Sequence, residues 1–435
     1  MSETLEQSGT PEDYREVQFG PKTLVVPNDW STERFGDIFD RRRESIDDLE
    51  DETIKYIGLK HLDSGQLTIN GFDEDGRERS SSRVFREGDV LFGKLRPNLN
   101  KAAVAPFSGV CSSDIIPIYA EKDAHQQCLP YLIHSKLVRD RVVSTMEGTN
   151  LPRTSWDDLK KSLIPLPSLP EQRRIADILS TVDEQIQQTD EMIEKRGELL
   201  TGLKQDLLLG RETTDKQEIQ MGPKSVHIPS SWNVAKLGDV GRDSEKSFVD
   251  GDWVESDDMV EDGEYQLIQL GNIGVGEFKG ECDKFVCEEF FQENNCTIVE
   301  QGDLLISRLA DPVLRTIEVP KFEKKSITVV DIVIAKIDES SWDKRYLRFL
   351  LNSKVMSDVG GALATGSTRQ RISRKNMESI TIPAPPRATQ SKIADVLEAT
   401  KKEIQTDKKY KQNLQEIKRG LMQDLLTGKV RVNTD

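Results

Sequence analysis

The sequence contains no apolar run near the roughly 18 residues that a membrane-spanning helix needs. Its first residues, MSETLEQSGTPEDY, are acidic and polar where a secretion signal would be basic and then apolar. A soluble, cytoplasmic protein without a membrane partner is the expectation. Cysteine is scarce, and its odd count of five argues against a disulfide framework. Only Cys282, Cys287 and Cys296 lie near one another, with no C-x2-C pair and no neighbouring histidine, so ordinary thiols are expected rather than a metal site. There is no Pro-Asp dipeptide from which the common nuclease motif could start, and no Asn-Pro-Pro-aromatic motif of an amino-methyltransferase. Gly93-Lys94 and Gly428-Lys429 lack the Ser or Thr that completes a phosphate-binding GxxxxGK[ST] loop. The glycine-rich stretch GNIGVGEF, Gly271 to Phe278, is not followed by a helical pattern and reads as a turn between strands. These absences leave the chain with no expected catalytic residue, metal or cofactor of its own.

Positive charge is also in deficit. Against 60 Lys and Arg stand 76 Asp and Glu, a net charge of −16, which by itself disfavours a polyanionic partner. Acid spread over a whole surface is equally what a protein from a halophile would carry in concentrated salt. The basic clusters then hold the information, namely Lys94, Arg96 and Lys101 in GKLRPNLNK, and Arg369, Arg371, Arg374 and Lys375 in STRQRISRK.

What the sequence does have is itself, twice. IADIL at Ile175 to Leu179 returns as IADVL at Ile393 to Leu397, and KQDLLLGR at Lys204 to Arg211 as MQDLLTGK at Met422 to Lys429, each 218 residues later. FGPKTLVVPNDW from Phe19 matches MGPKSVHIPSSW from Met221 at a shift of 202, and EGDVLF from Glu87 matches QGDLLI from Gln301 at 214. The shift grows because the second copy carries insertions. A period this long exceeds any solenoid repeat and marks a duplicated domain plus helix.

Each copy has two parts. Short β-type runs such as TLVVP, RVFREGDVLF, SDIIPIYA, YQLIQLGNI and SITVVDIVIAKI, broken by Gly, Pro, Asn and Asp, predict a mixed α/β, mostly β domain. After it, Ile175, Leu179, Val182, Ile186, Thr189, Ile193, Arg196, Leu200, Leu203 and Leu207 alternate steps of four and three, a coiled-coil seam. A helix of about 40 residues would be about 60 Å long. The second seam is less regular, through Ile393, Leu397, Ile404, Tyr410, Leu414, Ile417, Leu421 and Leu425. Both helices open after proline-rich stops, PLPSLPEQ and PAPPRATQ, and both close at a glycine, Gly210 and Gly428. So narrow a seam suits one partner helix, and the duplication supplies one.

IPLPSLPEQRRIADILSTVDEQI, its copy ITIPAPPRATQSKIADVLEATKKEI and the endings LKQDLLLGR and LMQDLLTGK resemble the specificity subunit of type I restriction-modification systems. GDVLFGKLRP, GDLLISRLADPVLRTIEV, GTNLPRTSWDDL and GSTRQRISRKNM fit as well, so the resemblance runs from about residue 16 to 430. The departures are the acidity and the second junction, where PPRATQSKI lacks the usual Glu-Gln.

The resemblance implies an α/β fold: two target-recognition domains alternating with two long antiparallel coiled-coil helices in a pseudo-twofold internal repeat. The expected boundaries are a disordered tail at 1–15, recognition domain 16–168, helix 169–210, linker 211–217, recognition domain 218–385, helix 386–428 and a tail at 429–435. It implies a non-catalytic subunit that reads an asymmetric bipartite site on double-stranded DNA, the helices setting the spacer. Two modification (methyltransferase) subunits and the restriction (translocase/nuclease) subunits would bring S-adenosylmethionine, ATP and Mg.

Arg or Lys reads guanine and Asn or Gln reads adenine in the major groove, while further cations grip phosphates. The candidates for such contacts are Lys94, Arg96, Asn98, Asn100 and Lys101 with Thr149, Asn150 and Arg153 in the first copy. In the second they are Arg308 and Arg315 with Thr368, Arg369, Gln370 and Arg371. Both loops recur at matching places in both halves. Lys60, His61, Gln269 and Asn272 are weaker candidates. The rival readings are a catalytic methyltransferase or nuclease in its own right, and a coiled-coil scaffold that never meets DNA.

Overall fold

The computed structural model describes residues 12–19, 22–44, 54–76, 82–121, 124–148, 151–242, 247–309, 312–366 and 369–434. They form two compact units, one comprising Met1–Asp190 with Lys409–Asp435 and the other Glu191–Lys408. Among the described residues no helix is long and apolar enough to cross a membrane.

In the first unit a four-stranded antiparallel sheet places Phe39–Arg41 beside Ile115–Ala120, then Val90–Gly93, then Ala102–Val104. The second unit repeats it with Phe248–Asp250, Ile332–Ala335, Leu304–Ser307 and Thr316–Glu318. The near-continuous apolar runs Val90–Phe92 and Leu304–Ile306 are buried, as strands covered on both faces should be. A second small sheet differs between the units. In the first, Gly109–Ser112 pairs with Tyr56–Ile57 in parallel and with Ser82–Phe85 antiparallel. In the second, Lys325–Thr328 keeps the parallel partner, Tyr265–Ile268, but the other edge shrinks to a single bridge, Val299 to Ser326. The inserted segment supplies a strand on the far side instead, Phe285–Val286, and the helix Glu288–Glu293, whose Phe291 stacks on Tyr265 at 4.0 Å.

The two long helices are Leu169–Leu207 and Arg387–Leu425, 39 residues each. Their first turns dock on the domains that precede them: Ile175 and Leu179 in one core, Ile393, Ala394 and Leu397 in the other. The change from PEQ to ATQ at the second junction leaves this docking intact. Gln172 accepts from the His125 backbone N at 2.8 Å and donates to the Pro167 carbonyl, and Gln390 does the same with Asp343 and Pro385.

Beyond that point each helix faces the other. In the first unit Lys418 meets Asp183 and Lys411 meets Asp190, both at 2.5 Å. Advancing seven residues along one helix retreats seven along the other, so the segments run antiparallel. In the second unit Arg196 lies between Asp407 and Glu403. The seam expected for the first helix is the shielded face, whereas that of the second needs correction. It runs through Ile393, Leu397, Thr400, Ile404, Asp407, Lys411, Leu414, Lys418, Leu421 and Leu425, none of which is exposed. Tyr410 and Ile417 lie outside it, 49% and 51% exposed. Both are apolar and so satisfy the hydrophobic pattern, but their positions match Met192 and Leu199 of the first helix, which are also exposed.

Three expected boundaries also shift. Tyr14 and Arg15 already belong to the strand Tyr14–Phe19, and Lys216 and Gln217 to Lys216–Met221. Arg431 is no tail residue, because it donates to Glu171 and Asp29. Residues 1–11 of the expected disordered tail lie outside the described residues.

Each helix ends in a left-handed glycine. Gly210 (φ +60) packs on Pro229 and Trp232, and Gly428 (φ +74) on Pro27 and Trp30; a Cβ would come within 2.5 and 2.4 Å of the respective proline. The hairpin beside Gly210 follows it directly in sequence. The hairpin beside Gly428 begins at residue 14, and there Tyr14 Oη donates to the Gly428 carbonyl at 3.2 Å.

Candidate nucleic-acid interface

The two candidate loops of each unit are joined to each other by backbone pairing. In the first unit Leu95 bridges Arg153, Arg96 N donates to Pro152 O at 2.7 Å, and Thr154 N donates to Lys94 O at 3.0 Å. In the second, Leu309 bridges Arg371 and Ile372 N donates to Arg308 O at 2.9 Å. The later loop is closed on itself, by Glu147 with Arg153 and by Thr365 with Arg371. Segments some 60 residues apart in sequence therefore make one surface, twice.

The early loop of the first unit is a single 3-10 turn, Pro97–Leu99, with Pro97 buried and both flanks, Arg96 and Asn100, left-handed at φ 50. Left-handed backbone at non-glycine residues costs of order 1 kcal/mol and clusters where side chains are held for a task. At the position matching Asn100 the second unit holds Leu314, also left-handed at φ 66 and fully buried.

Arg96 and Asn98 are exposed, as are Arg153, Arg369, Gln370 and Arg371; Lys94, Asn100, Lys101 and Arg315 are half-buried. Lys101 is tied down, donating to Leu59 O at 2.9 Å. Arg308 is buried, where it donates to Asp250 and to the Ile372 carbonyl. It clamps the two loops together, so its charge is spent within the protein. Arg315 has its Nε buried without a partner, and burial pulls its guanidinium below the usual value. Thr149, Asn150 and Thr368 lie outside the described residues.

A carboxylate that sequence reasoning missed organises each surface. Arg153 pairs with Asp114 at 3.2 Å, and Arg371 with Asp331 at 2.7 Å. The signal was present, since both aspartates immediately precede the matching strands IIPIYA and IVIA. The weaker candidates His61 and Asn272 are occupied internally. Each caps its own 3-10 turn by accepting a backbone N–H, from Gly58 at 3.0 Å and from Gln269 at 2.9 Å. Cys282 and Cys296 are buried and Cys287 is exposed, and no group of three metal-ligating side chains occurs among the described residues.

Comparison with known proteins agrees with this double architecture. The profile of the type I restriction modification DNA specificity domain matches twice, over residues 27–195 and 229–416. The MjaVIII specificity subunit of Methanocaldococcus jannaschii is 24% identical over 96% of this chain and 97% of its own length. The type I S subunit from M. genitalium has a similar fold, with a TM-score of 0.55 at 17% identity over 91% of this chain and 96% of that one. A chain from a study of complex assembly and conformational transition of the type I R-M system gives 0.58 at 19% identity, covering 93% and 99%. With both recognition units and both helices accounted for, the chain belongs to the DNA specificity family of type I restriction-modification systems.

Proposed function

We propose that each unit reads one short DNA word, so that the chain selects an asymmetric bipartite site with an unread spacer between the words. The observation that carries this is the same paired-loop surface at the same place on two frames, furnished with different side chains. Exposed Arg96, Asn98 and Arg153 in one unit, and Arg369, Gln370 and Arg371 in the other, are the residue types that read base edges and grip phosphates. Methylation belongs to partner subunits, which bring S-adenosylmethionine and flip the target adenine. Met192 and Leu199 in the second unit, and Tyr410 and Ile417 in the first, are exposed apolar pairs spaced seven residues apart, hence on one helix face. This stripe, clear of the seam, suits docking of the modification subunits, two of which the repeat would accommodate, with the restriction subunits joining that core.

Sequencing adenine methylation in cells that express the complex gives the test. Exchanging residues 16–160 for another recognition domain should change one half of the methylated motif; a change in both halves, or in neither, refutes the two-word reading. Inserting four residues after Gln187, about 6 Å of helix, should lengthen the spacer and leave both words intact. Tyr410→Lys with Ile417→Lys should remove one modification subunit from the purified complex, and Met192→Lys with Leu199→Lys in addition should remove both, while the chain stays folded.

A further inference from the structure

In the first unit, cations from four separate segments come together around Lys94, and two of them share one carboxylate. The strand Phe39–Arg41 lies beside Ile115–Ala120, which lies beside Val90–Gly93, so Arg41 ends on the same sheet that delivers Lys94. Arg83 stands opposite Cys111 on the small sheet, in the strand that leads to Asp114. Lys94 N donates to Asp114 O at 2.9 Å, and the Lys94 ammonium lies 4.0 Å from the Asp114 carboxylate that also holds Arg153. Burial, and then the field of Arg83 with smaller contributions from Arg153 and Arg41, lowers the Lys94 ammonium despite Asp114. Among the described residues neither Arg41 nor Arg83 is in an ion pair; of the acids near Arg41, Asp157 is engaged by Lys160 at 2.6 Å and Asp40 by Arg43 at 3.1 Å. Lys94 and Arg153 thus share Asp114, and Arg41 and Arg83 beside Lys94 have no ion-pair partner among the described residues, in a protein whose net charge is −16.

The second unit lacks this excess. In register with Arg41 and Arg83 stand Phe248, opposite Ala335, and Thr297. Arg308, which replaces Lys94, is paired with Asp250, Arg371 with Asp331, and Arg374 with Asp250 and Glu378. Those three arginines are already matched within the protein, while Arg315, half-buried, and Arg369, in the later loop, are in no ion pair among the described residues.

We propose that Arg41, Arg83, Lys94 and Arg153 form a phosphate-binding cluster that makes the first unit the electrostatic anchor on duplex DNA, with Asp114 positioning Arg153 and Lys94. Crowded cations with too few counter-charges gain when an anion enters among them, and a backbone phosphate supplies one on any sequence. The second unit, in which Arg308, Arg371 and Arg374 are neutralised in place, contributes to base selection and little to salt-dependent affinity. This rests on the DNA-reading function proposed above.

The test is a fluorescence-anisotropy titration of a labelled random-sequence duplex with the full-length chain, alone and assembled with its modification subunits, across a sodium chloride series. Removing one cation that neutralises a phosphate lowers the slope of log affinity against log salt by roughly 0.9. Arg41→Gln with Arg83→Gln should lower that slope by about one to two, and Arg41→Lys with Arg83→Lys should restore it, which a purely structural role would not. Arg374→Gln, at an arginine already paired with Asp250 and Glu378, should leave it within about half a unit of wild type. The proposal is overturned if the Arg41 and Arg83 variants keep the wild-type slope, or if Arg374→Gln lowers it by as much as they do. A wild-type assembly that binds no duplex at any salt would instead overturn the DNA-reading function itself.

Discussion

Glu171, at the start of the first long helix, is buried and accepts from Trp30 Nε1 at 2.9 Å and from Arg431 at 2.7 Å. At the matching places of the second unit stand Thr389 and, for Arg431, Thr213. The ion pair exists only where the helix end and the hairpin it packs on are about 400 residues apart. Where the chain runs directly from Gly210 into the hairpin, no such fastening is present. A similar exchange occurs inside the domains. His134 contacts the Ala102 carbonyl at 2.8 Å, and its counterpart Asn352 donates to the Thr316 carbonyl at 2.7 Å. His61 and Asn272 likewise make the same turn-capping bond. At these three places the same frame is built with a titratable group in one unit and a permanently neutral one in the other.

Leu414 offers the largest single perturbation, since it is buried in the seam where the matching residue of the other helix is Arg196. Leu414→Ala should cost about 3 kcal/mol, read by denaturant unfolding, while Tyr410→Ser should cost less than about 0.5 kcal/mol; equal losses would put the register wrong. Next comes acid sensitivity. Burial holds the His134 imidazole down at about 4 against an ordinary 6.5, so the unfolded chain binds the proton first. The stability this group contributes is fully present above pH 6.5 and is lost as pH falls toward about 4, an effect on the order of 3 kcal/mol. His134→Asn, which copies the second unit, should flatten the pH dependence of the first unit's melting over that window. An unchanged profile would remove His134 as its cause. The smallest effect expected is at the fastening. Arg431→Ala strands a buried carboxylate and should destabilise the first unit by about 2 kcal/mol, less than a fully buried pair because Arg431 is 40% exposed. Glu171→Thr with Arg431→Thr should cost less than that single change; a double variant as unstable as the single one would show that the second unit is not a valid template.

The repeat, the long helices and the paired loops are readable in the sequence because each is written locally, by periodicity or by a glycine, and then written again. The second seam is not, because Lys411, Lys418 and Asp407 are polar; they face inward since each finds an opposite charge across the helix pair, a fact that apolar periodicity does not carry. Arg308 resembles a DNA contact in sequence for the converse reason, its partner Asp250 lying 58 residues away. Arg41 and Arg83 give no sequence signal because each sits alone in its own segment and acquires neighbours only through strand pairing.

Leu425, Leu426 and Arg431 complete the core and the fastening of the first unit, whereas the second is one uninterrupted stretch, Glu191–Lys408. During synthesis every residue of the second unit is therefore made before the first unit has all of its parts. The usual order, in which the domain made first also folds first, is reversed: the second unit can finish while the first waits with an open helix-docking face. A polypeptide that stops short of residue 409 would carry one finished recognition unit and one that cannot close.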